Sequence, residues 1–446
     1  MKNAHTAFPR NRCFALLLCF PACFLLLIGS PASAQSFSSQ DRERGMMMLK
    51  TVKDDIKKDY YDPSFRGVDL EARFKLAEDK IKLTKSNAEV FGIIAQALLD
   101  FNDSHTSFIP PQRSARIDYG WLMKTFGDDC YLTEVKPHSD AEAKGLKQGD
   151  LVQSIDGIRP NKANLWVFYY LYYQLAPRPI VKMMVQSPGE QPRPLEIKPR
   201  IETGKKIVDL TETIDLNRVW REEEEAIANA HRFKEFGKEL LIWKMPQFNL
   251  TKDEVNEMVD KAKNNRALIL DMRGNSGGAE ETLLRLIGNF SDHDVTVGDI
   301  KRRKETKPFI AKTRGEAGFK GQLVILVDSD SASASEVFAR VMQLEKRGTV
   351  MGDNTSAKVM RSRFHVHQIG IETVVMYGTS VTDADVVMSD GKSLEQVGVT
   401  PDEILLPTAE NLRARQDPVL SRAAALVGVK LDPVEAGKLF PFRWRP

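Results

Sequence analysis

A serine and a lysine in the C-terminal half of this 446-residue chain have the types and spacing needed for nucleophilic catalysis. Ser333 follows the apolar run Gln322–Val327, and Lys358 comes twenty-five residues after Ser333. The apolar run predicts a buried strand, and the apolar spacing over residues 335–342 predicts a helix. Ser333 is therefore expected at a helix N-terminus, where free N–H groups can stabilise an oxyanion. Taken alone, the segment favours an ordinary helix cap at Ser333 or Ser335, because caps far outnumber nucleophiles.

The N-terminal leader predicts a secretory signal peptide. Basic residues precede an apolar stretch over residues 13–28, and Ala32, Ser33 and Ala34 form a small-residue cleavage site. The stretch has sixteen residues and contains a proline, so it is short for a membrane-spanning helix, which needs about twenty. We expect a mature chain that begins near Gln35, contains no membrane-spanning segment and is periplasmic or secreted.

Composition argues against charged partners. The chain has 64 basic and 61 acidic residues, and the leader holds three basic and no acidic ones, which leaves 61 of each sign. We therefore expect neither nucleic acid nor an anionic membrane surface as a partner. Three of the four cysteines also lie in the leader. Cys130 remains alone, so the mature chain is expected to have no intramolecular disulfide.

The pattern of elements divides the chain into five parts. Helical periodicity with many charges extends over residues 39–99, where residues 86–89 form a capping box. A polar turn over residues 103–108 ends this unit, and strand-like alternation follows. The predicted domains are a signal peptide (1–34), a helical N-terminal region (35–115), a β-rich domain (116–203), an α/β core (204–410), and a C-terminal helix and tail (411–446).

The β-rich domain combines short strands with well-defined turns. Residues 130–135 and 181–185 alternate as strands do. Between them, residues 141–152 contain a short helix that Gly145 ends, and the strand that follows reaches a hairpin turn at Gly157. This order of elements resembles a PDZ domain over most of its length.

The PDZ resemblance implies a peptide-binding role. By it, Gly120, Trp121 and Leu122 form the loop that captures a peptide C-terminus, and the peptide adds as a strand to the sheet edge. The expected ligands are unfolded or extended polypeptides. The alternative is a small structural β-domain that has no ligand.

The region after residue 230 predicts alternating strands and helices. Residues 240–243 and 267–270 have the composition of buried strands, and residues 251–254 open a helix between them. The second strand ends in the loop 271–278, whose glycines allow close backbone approach to a ligand. Phosphate binding is not expected, because neither the P-loop ending nor the dinucleotide spacing is present.

Four landmarks in this order resemble the carboxy-terminal processing proteases, or tail-specific proteases, a family of serine peptidases. They are the polar turn, the PDZ-like segment, the loop 271–278 and the serine motif 331–336, and the likeness continues through residues 390–402. The resemblance implies an α/β multidomain protein with a helical N-terminal unit, a PDZ-like domain and a crotonase-like protease core. It also implies a serine endopeptidase that needs no metal or organic cofactor.

In that family the middle serine of the motif is the nucleophile and a lysine twenty-five residues later is the base, which correspond to Ser333 and Lys358. A lysine amine acts as a base near neutral pH only where desolvation lowers its pKa. Acyl transfer would form an ester on Ser333. We expect the oxyanion to be held by the backbone N–H groups of Ala334 and of Gly277 or Gly278.

The surroundings of the lysine leave two alternatives open. Ala357 and Val359 stand where the family usually has glycines, and Ser362 replaces an expected glutamine. A related branch, similar to the tricorn core protease, uses a serine–histidine pair and a downstream glutamate, and a histidine base needs no large pKa shift. The matching positions are Ser104, His105, Ser333 and Glu395. The other alternative is an inactive protein of the same fold that binds peptides or apolar ligands.

Two further histidines have the spacing of metal ligands. His365 and His367 alternate on a predicted strand and so point to the same side. No third ligand is clustered with them in the sequence, and a structural role is therefore favoured over a metal site. The sequence does not specify an oligomeric state.

Overall fold

The computed structural model describes residues 37–111, 115–203, 230–370, 374–442 and 444. The predicted signal peptide lies outside these residues. The elements described below belong to the unit Ser39–Pro446. They combine helices with several sheets, which confirms the predicted α/β class. The domain boundaries given above stay predictions.

Three helices and a short strand form the N-terminal part. They are α1 (Ser39–Asp59), α2 (Leu70–Ile81), α3 (Asn87–Leu99) and β1 (Ser107–Ile109). The side chain of Ser86 accepts the N–H of Glu89 at 3.2 Å, which fixes the start of α3 as expected. The Glu89 carboxylate binds the N–H of Lys85 rather than that of Ser86, so the predicted capping box is only half formed.

The β-rich segment forms a sheet with two helices against it. Its elements are β2 (Ala115–Asp118), β3 (Trp121–Phe126), β4 (Asp129–Val135), α4 (Asp140–Ala143), β5 (Leu151–Ile155), α5 (Leu165–Tyr169), β6 (Val181–Gln186), β7 (Arg193–Ile197) and β8 (Arg200–Thr203). Strands β3 to β7 form an antiparallel sheet in that order, with β3 at one edge. A π-helical turn, Tyr170–Leu175, extends α5. Strands β2 and β8 pair where the chain enters and leaves the segment.

The remaining strands build two sheets. They are β9 (Arg232–Phe236), β10 (Leu240–Lys244), β11 (Ala267–Asp271), β12 (Val295–Lys301), β13 (Thr306–Ala311), β14 (Gln322–Val327), β15 (Thr349–Gly352), β16 (Met360–Ile369), β17 (Val375–Met388) and β18 (Glu403–Ile404). One sheet has the order β18-β15-β14-β11-β10-β9 and is parallel except for β9. The predicted strands at β10, β11 and β14 are thus confirmed, and β11 is buried along its whole length.

Helices cover both faces of the parallel sheet. On one face lie α6 (Lys252–Ala262), α7 (Glu280–Phe290) and α8 (Ala334–Leu344). Three shorter helices follow later in the chain: α9 (Ala409–Arg413), α10 (Pro418–Leu426) and α11 (Pro433–Lys438). Val255, Leu286 and Phe338 pack on one face, and Leu420 and Ala424 pack on the other. Burial on both faces explains the nearly continuous apolar strands. It also holds the strand ends, and the loops that leave them, in fixed positions.

The second sheet links the N-terminal part to the core. Strand β17 pairs with β16 along one side and with β1 and β12 along the other, and β12 pairs with β13. All of these pairs are antiparallel. Strand β1 begins at Ser107, within the predicted polar turn, so its pairing with β17 brings the rest of that turn to the core.

Candidate active site

Ser333 occupies a strained turn at the start of α8. Its backbone has φ +54° and ψ −116°, a combination that residues other than glycine rarely adopt. The Ser333 N–H donates to the Lys358 carbonyl oxygen at 2.9 Å and to the Glu336 carboxylate at 3.0 Å. Strain of this kind persists only where the surroundings fix it, and it is concentrated at functional sites.

The Glu336 carboxylate joins the serine turn to the segment that carries the lysine. It is fully buried and accepts the N–H groups of Ser333, Ala357 and Lys358 at 3.0, 2.8 and 3.0 Å. Burial raises the pKa of Glu336, and these hydrogen bonds oppose the rise. The carboxylate therefore fixes the backbones of the candidate nucleophile and the candidate base relative to each other.

The loop that follows β11 lies against the serine turn. The buried Asn275 accepts the N–H of Ala332 and the hydroxyl of Ser335 on its carbonyl oxygen, both at 2.9 Å. A Cβ at Gly277 would lie 2.8 Å from the Cβ of Ser333, closer than real side chains approach. Glycine is thus required at 277 by the approach of the two loops.

The three predicted oxyanion donors differ in their hydrogen bonds. The N–H of Gly277 donates to the side-chain oxygen of Asn275 at 2.8 Å. Within the described part of the chain, the N–H groups of Ala334 and Gly278 have no acceptor. Because they have no protein acceptor, these two donors match an oxyanion hole better than Gly277 does.

The Lys358 side chain is largely buried beneath an aromatic ring. Its Nζ lies 5.6 Å from the centre of the Trp166 ring. Burial lowers the pKa of Lys358, and the more distant carboxylates of Asp330, Glu336 and Glu395 oppose the shift. Among the described residues no acceptor lies within hydrogen-bond distance of this ammonium. An amine in such surroundings has the lowered pKa that a general base requires.

His105 is held by a chain of hydrogen bonds. Its Nδ1 lies 2.6 Å from the Ser104 hydroxyl, which donates to Glu395 Oε2 at 2.8 Å. The Ser104 N–H donates to Glu395 Oε1, also at 2.8 Å. Burial lowers the pKa of His105 to about 4, Lys358 adds to the decrease and Asp103 opposes it. The fold thus brings together three residues of the alternative arrangement.

Lys358 and His105 share one cavity of about 600 Å³. Trp166, Tyr169 and Tyr170 of the PDZ-like segment also line it, and Ser333 is not among the lining residues. In the described residues no hydrogen bond joins the Ser333 hydroxyl to either candidate base. The cavity therefore places both bases under the helix of the PDZ-like segment, next to the serine turn.

The cavity contains a second lysine. Burial lowers the pKa of Lys162 too, while Asp353, Glu336 and Asp128 oppose the shift. Unlike Lys358, Lys162 donates its ammonium proton to the Asn354 carbonyl at 2.9 Å. That bond favours the charged form, which makes Lys162 the weaker candidate base.

The two alternating histidines lie away from this cavity's bases, on the face of β16 that meets α1. His367 Nε2 is 2.7 Å from Asp55, and His365 Nε2 is 3.2 Å from Asp59. In the residues that the structure describes, no group of three or more histidine, cysteine or acidic side chains has the geometry of a metal site. These contacts give both histidines a structural role between a helix and a strand.

Comparison with known proteins assigns the core. Residues 240–405 match the family model described as peptidase family S41. Residues 240–405 are a peptidase family S41 domain. The matched range contains Ser333, Lys358, Glu395 and the loop 271–278, whereas His105 lies before it.

Curated relatives agree with the S41 assignment. The tail-specific protease of Haemophilus influenzae is 28% identical over 313 residues, which cover 66% of this chain and 42% of that protein. The chloroplastic C-terminal processing peptidase of Tetradesmus obliquus is 26% identical over 374 residues, covering 78% of this chain and 74% of that protein. The chain thus matches less than half of the length of the Haemophilus protein. The resemblance to carboxy-terminal processing proteases is confirmed.

Solved structures share the fold outside the S41 domain as well. Mature CPAF aligns with a TM-score of 0.62 at 13% identity and covers 84% of this chain and 95% of its own. The photosystem II D1 C-terminal processing protease aligns with a TM-score of 0.50 at 21% identity and covers 89% and 99%. Both likenesses concern the fold. No helix in the described ranges is long and apolar enough to span a membrane.

The predicted peptide-binding loop lies at the edge strand β3 of the PDZ-like segment. Gly120 has φ +77° and donates its N–H to Asp118 at 2.9 Å, Trp121 is buried in the segment's own core, and Leu122 is partly exposed. One residue further, both backbone groups of Met123 bind the Tyr169 hydroxyl, at 3.1 and 2.8 Å. Part of the edge that a peptide strand would use is therefore occupied by Tyr169.

A buried ion pair connects β3 to the S41 domain. The Lys124 ammonium lies 2.5 Å from Asp328 and 2.9 Å from Asp330. Burial lowers the pKa of Lys124, but the two carboxylates outweigh it and the pKa is raised. The Asp328 carboxylate also accepts the N–H of Gly274, in the glycine loop, at 2.9 Å. Lys124 thus contacts the loop that positions Ser333 through one intermediate residue.

Two of these residues, Glu336 and Lys124, were not singled out in the sequence. Glu336 follows Ser333 by three residues, which is the capping-box spacing, so the sequence did contain a signal for it. Lys124 has no comparable signal. Its partners Asp328 and Asp330 lie in another part of the chain, and local spacing does not identify such partners.

Proposed function

We propose that the chain is a serine endopeptidase that cleaves polypeptide tails through an acyl-enzyme on Ser333, with Lys358 as the base. The observation that carries the proposal is the hydrogen bond from the Ser333 N–H to the Lys358 carbonyl, next to an amine whose pKa burial lowers. The S41 domain and its protease relatives support the same class of reaction.

In this mechanism the neutral amine of Lys358 accepts the proton of the Ser333 hydroxyl as the oxygen attacks the substrate carbonyl. The N–H groups of Ala334 and Gly278 stabilise the oxyanion. Lys358 then returns the proton to the leaving amine. A water molecule, deprotonated by the same amine, hydrolyses the ester and regenerates the serine.

A second candidate uses Ser104, His105, Ser333 and Glu395. The bonded chain from Glu395 through Ser104 to His105 favours it, because it orients the imidazole. With a pKa of about 4, His105 is neutral at neutral pH and accepts a proton weakly. A third candidate is an inactive protein of the same fold that binds peptides or apolar ligands.

The PDZ-like segment would recruit unfolded or extended polypeptides at β3. The predicted leader supports a periplasmic or secreted location for this activity. The expected reaction uses only protein groups and water.

Cleavage of an unfolded protein by the mature chain tests these candidates. We would compare the wild type with Ser333→Ala, Lys358→Ala and His105→Ala, and use the exposed Lys304→Ala as the matched control. Loss of activity in the Ser333 and Lys358 variants with activity kept in His105→Ala supports the lysine mechanism. Loss in the Ser333 and His105 variants with activity kept in Lys358→Ala supports the histidine mechanism. A wild type that binds tails without cleaving them supports the inactive binder.

A further inference from the structure

Four large apolar side chains lie exposed on strands β1, β16 and β17 of the second sheet. We name the group the apolar strip: Ile109 on β1, Phe364 and Val366 on β16, and Met376 on β17. Their exposed fractions are 38, 68, 71 and 50%. Scattered apolar residues are ordinary on protein surfaces, but contiguous ones commonly mark a binding surface.

Strand register places the strip on one face of the sheet. Val366 and Ile109 both lie opposite Gly378 from its two sides, and Met376 lies opposite Gln368. Residues directly opposite in an antiparallel pair share a face, and so do alternate residues along a strand. The Ile109 side chain reaches to 3.5 Å from the position that a Cβ of Gly378 would take. The four side chains therefore form a continuous surface.

The opposite face of β16 is already covered. Its alternate residues His365 and His367 contact Asp55 and Asp59 of α1. The apolar strip thus cannot turn to the interior without breaking those contacts. A slip of one residue would exchange the two faces.

The strip continues into the cavity of the candidate bases. Phe364 and Ile109 line that cavity together with Lys358 and His105. A polypeptide that lies along the strip would therefore enter the cavity directly.

Strand β16 is also a sheet edge. In the described residues its only strand partner is β17. A ten-residue edge strand with apolar side chains is a template for pairing with another extended chain.

We propose that the apolar strip binds the extended part of the polypeptide substrate outside the cleaved bond, by strand addition to β16. Alternate apolar side chains of the substrate pack beside Phe364 and Val366 on the same face of the sheet, and Met376 on the next strand extends this apolar surface. This inference rests on the proposed peptidase function. A substrate is favoured over a second copy of the chain, because a copy seated on the strip would cover the mouth of the cavity. The strip thus selects tails with apolar residues at every second position.

Two long fluorogenic peptides test this specificity. Both contain the same cleavable sequence, and they differ in an extension with valine or with serine at alternate positions. We expect the wild type to cleave the valine peptide with a kcat/KM about tenfold higher, since a few partly buried apolar groups suffice for that difference. In the double variant Val366→Ser/Met376→Ser the two peptides should be cleaved at similar rates. The control Leu83→Ser, at an exposed apolar residue of the N-terminal part, should keep the preference.

The outcomes separate the strip from the proposed function. If the double variant keeps the preference for the valine peptide and its melting temperature is unchanged, the proposed role of the strip is wrong. If the wild type is a dimer and the double variant is a monomer that keeps the preference, the strip serves self-association, and the proposal of substrate binding is wrong. A wild type that neither cleaves the peptides nor labels at Ser333 with a fluorophosphonate contradicts the peptidase proposal. Fluorescence polarisation of the two peptides then still tests the strip, with about tenfold weaker binding of the valine peptide expected in the double variant.

Discussion

The pKa of a buried lysine shifts in opposite directions in two regions, the junction with the PDZ-like segment and the cavity of the candidate bases. Lys124 lies between Asp328 and Asp330, and its pKa is raised although burial alone would lower it. Lys358 has a tryptophan ring above it and only distant carboxylates, and its pKa is lowered. For these two lysines, the direction of the pKa shift follows whether carboxylates lie close to the ammonium. The same type of side chain forms an ion pair in one region and is the proposed base in the other.

Replacing Lys358 should give the largest effect on activity. In Lys358→Met we expect kcat/KM to fall by about 10²- to 10⁴-fold, because the proton acceptor is lost. The melting temperature should not fall, since no hydrogen bond of the ammonium is removed. Hydrolysis of an unfolded protein and a thermal melt measure the two quantities, with Lys304→Met as the control. Activity within a factor of ten of the wild type would contradict a base at position 358.

The pH dependence of the wild type sharpens this test. With Lys358 as the base, kcat/KM should decrease as the pH falls through the lowered pKa of that amine, about tenfold per pH unit below it. With His105 as the base, the decrease should begin only near pH 4. Steady-state rates from pH 3.5 to about 10 distinguish these two profiles.

Replacing Lys124 should act on stability rather than on chemistry. Lys124→Met leaves the buried Asp328 without its counter-ion, so we expect the free energy of unfolding to decrease by about 3–5 kcal/mol. The double variant Lys124→Met/Asp328→Asn should recover part of this loss, because it removes the unpaired charge and keeps an oxygen that accepts the Gly274 N–H. Urea unfolding measures both variants. If the single variant is as stable as the wild type, the ion pair contributes nothing and the contrast with Lys358 fails.

The lowered pKa of His105 predicts that the stability of the fold depends on pH. Its folded-state pKa of about 4 lies below the ordinary value of 6.5, so the unfolded chain binds more protons between these values. The free energy of unfolding should decrease as the pH falls from 6.5 to 4, by up to about 3 kcal/mol from this residue. His105→Gln should reduce that slope. Parallel urea titrations at several pH values give the comparison, and identical slopes in the two proteins would remove His105 as the cause.

The smallest effect is expected at Tyr169. Tyr169→Phe frees both backbone groups of Met123 at the edge of β3, so a tail peptide should bind about fivefold more tightly. Isothermal titration of the Ser333→Ala background avoids cleavage during the measurement. Tyr131→Phe, on the neighbouring strand, is the control. Weaker binding in Tyr169→Phe would mean that the hydroxyl contacts the peptide instead of blocking its strand.

Local patterns of the sequence predicted the elements well. The buried strands at β10, β11 and β14 follow from uninterrupted apolar runs, and α6 begins at Thr251 with a complete capping box. The strand-to-helix position of Ser333 follows from the same reasoning. Such features depend on neighbours within a few residues, which the sequence displays directly.

Long-range contacts could not be predicted in this way. Ser104, which only the family resemblance had grouped with Glu395, binds that residue nearly three hundred positions later, and Lys124 binds Asp328. No local period specifies either partner, because each contact results from the packing of separate sheets. The positive φ of Ser333 was likewise not predicted, since it arises from the closely packed glycine loop.

The strained backbone of Ser333 lowers the stability of the fold at the position of the proposed nucleophile. A residue other than glycine in this conformation destabilises the fold by about 1–3 kcal/mol, whereas glycine as a helix cap loses only a few tenths. Ser333→Gly should therefore melt at a higher temperature than the wild type while losing the hydroxyl. A protein that used this fold only to bind ligands would gain stability from glycine at position 333. Serine at that position is therefore the residue expected of a protein that uses the hydroxyl.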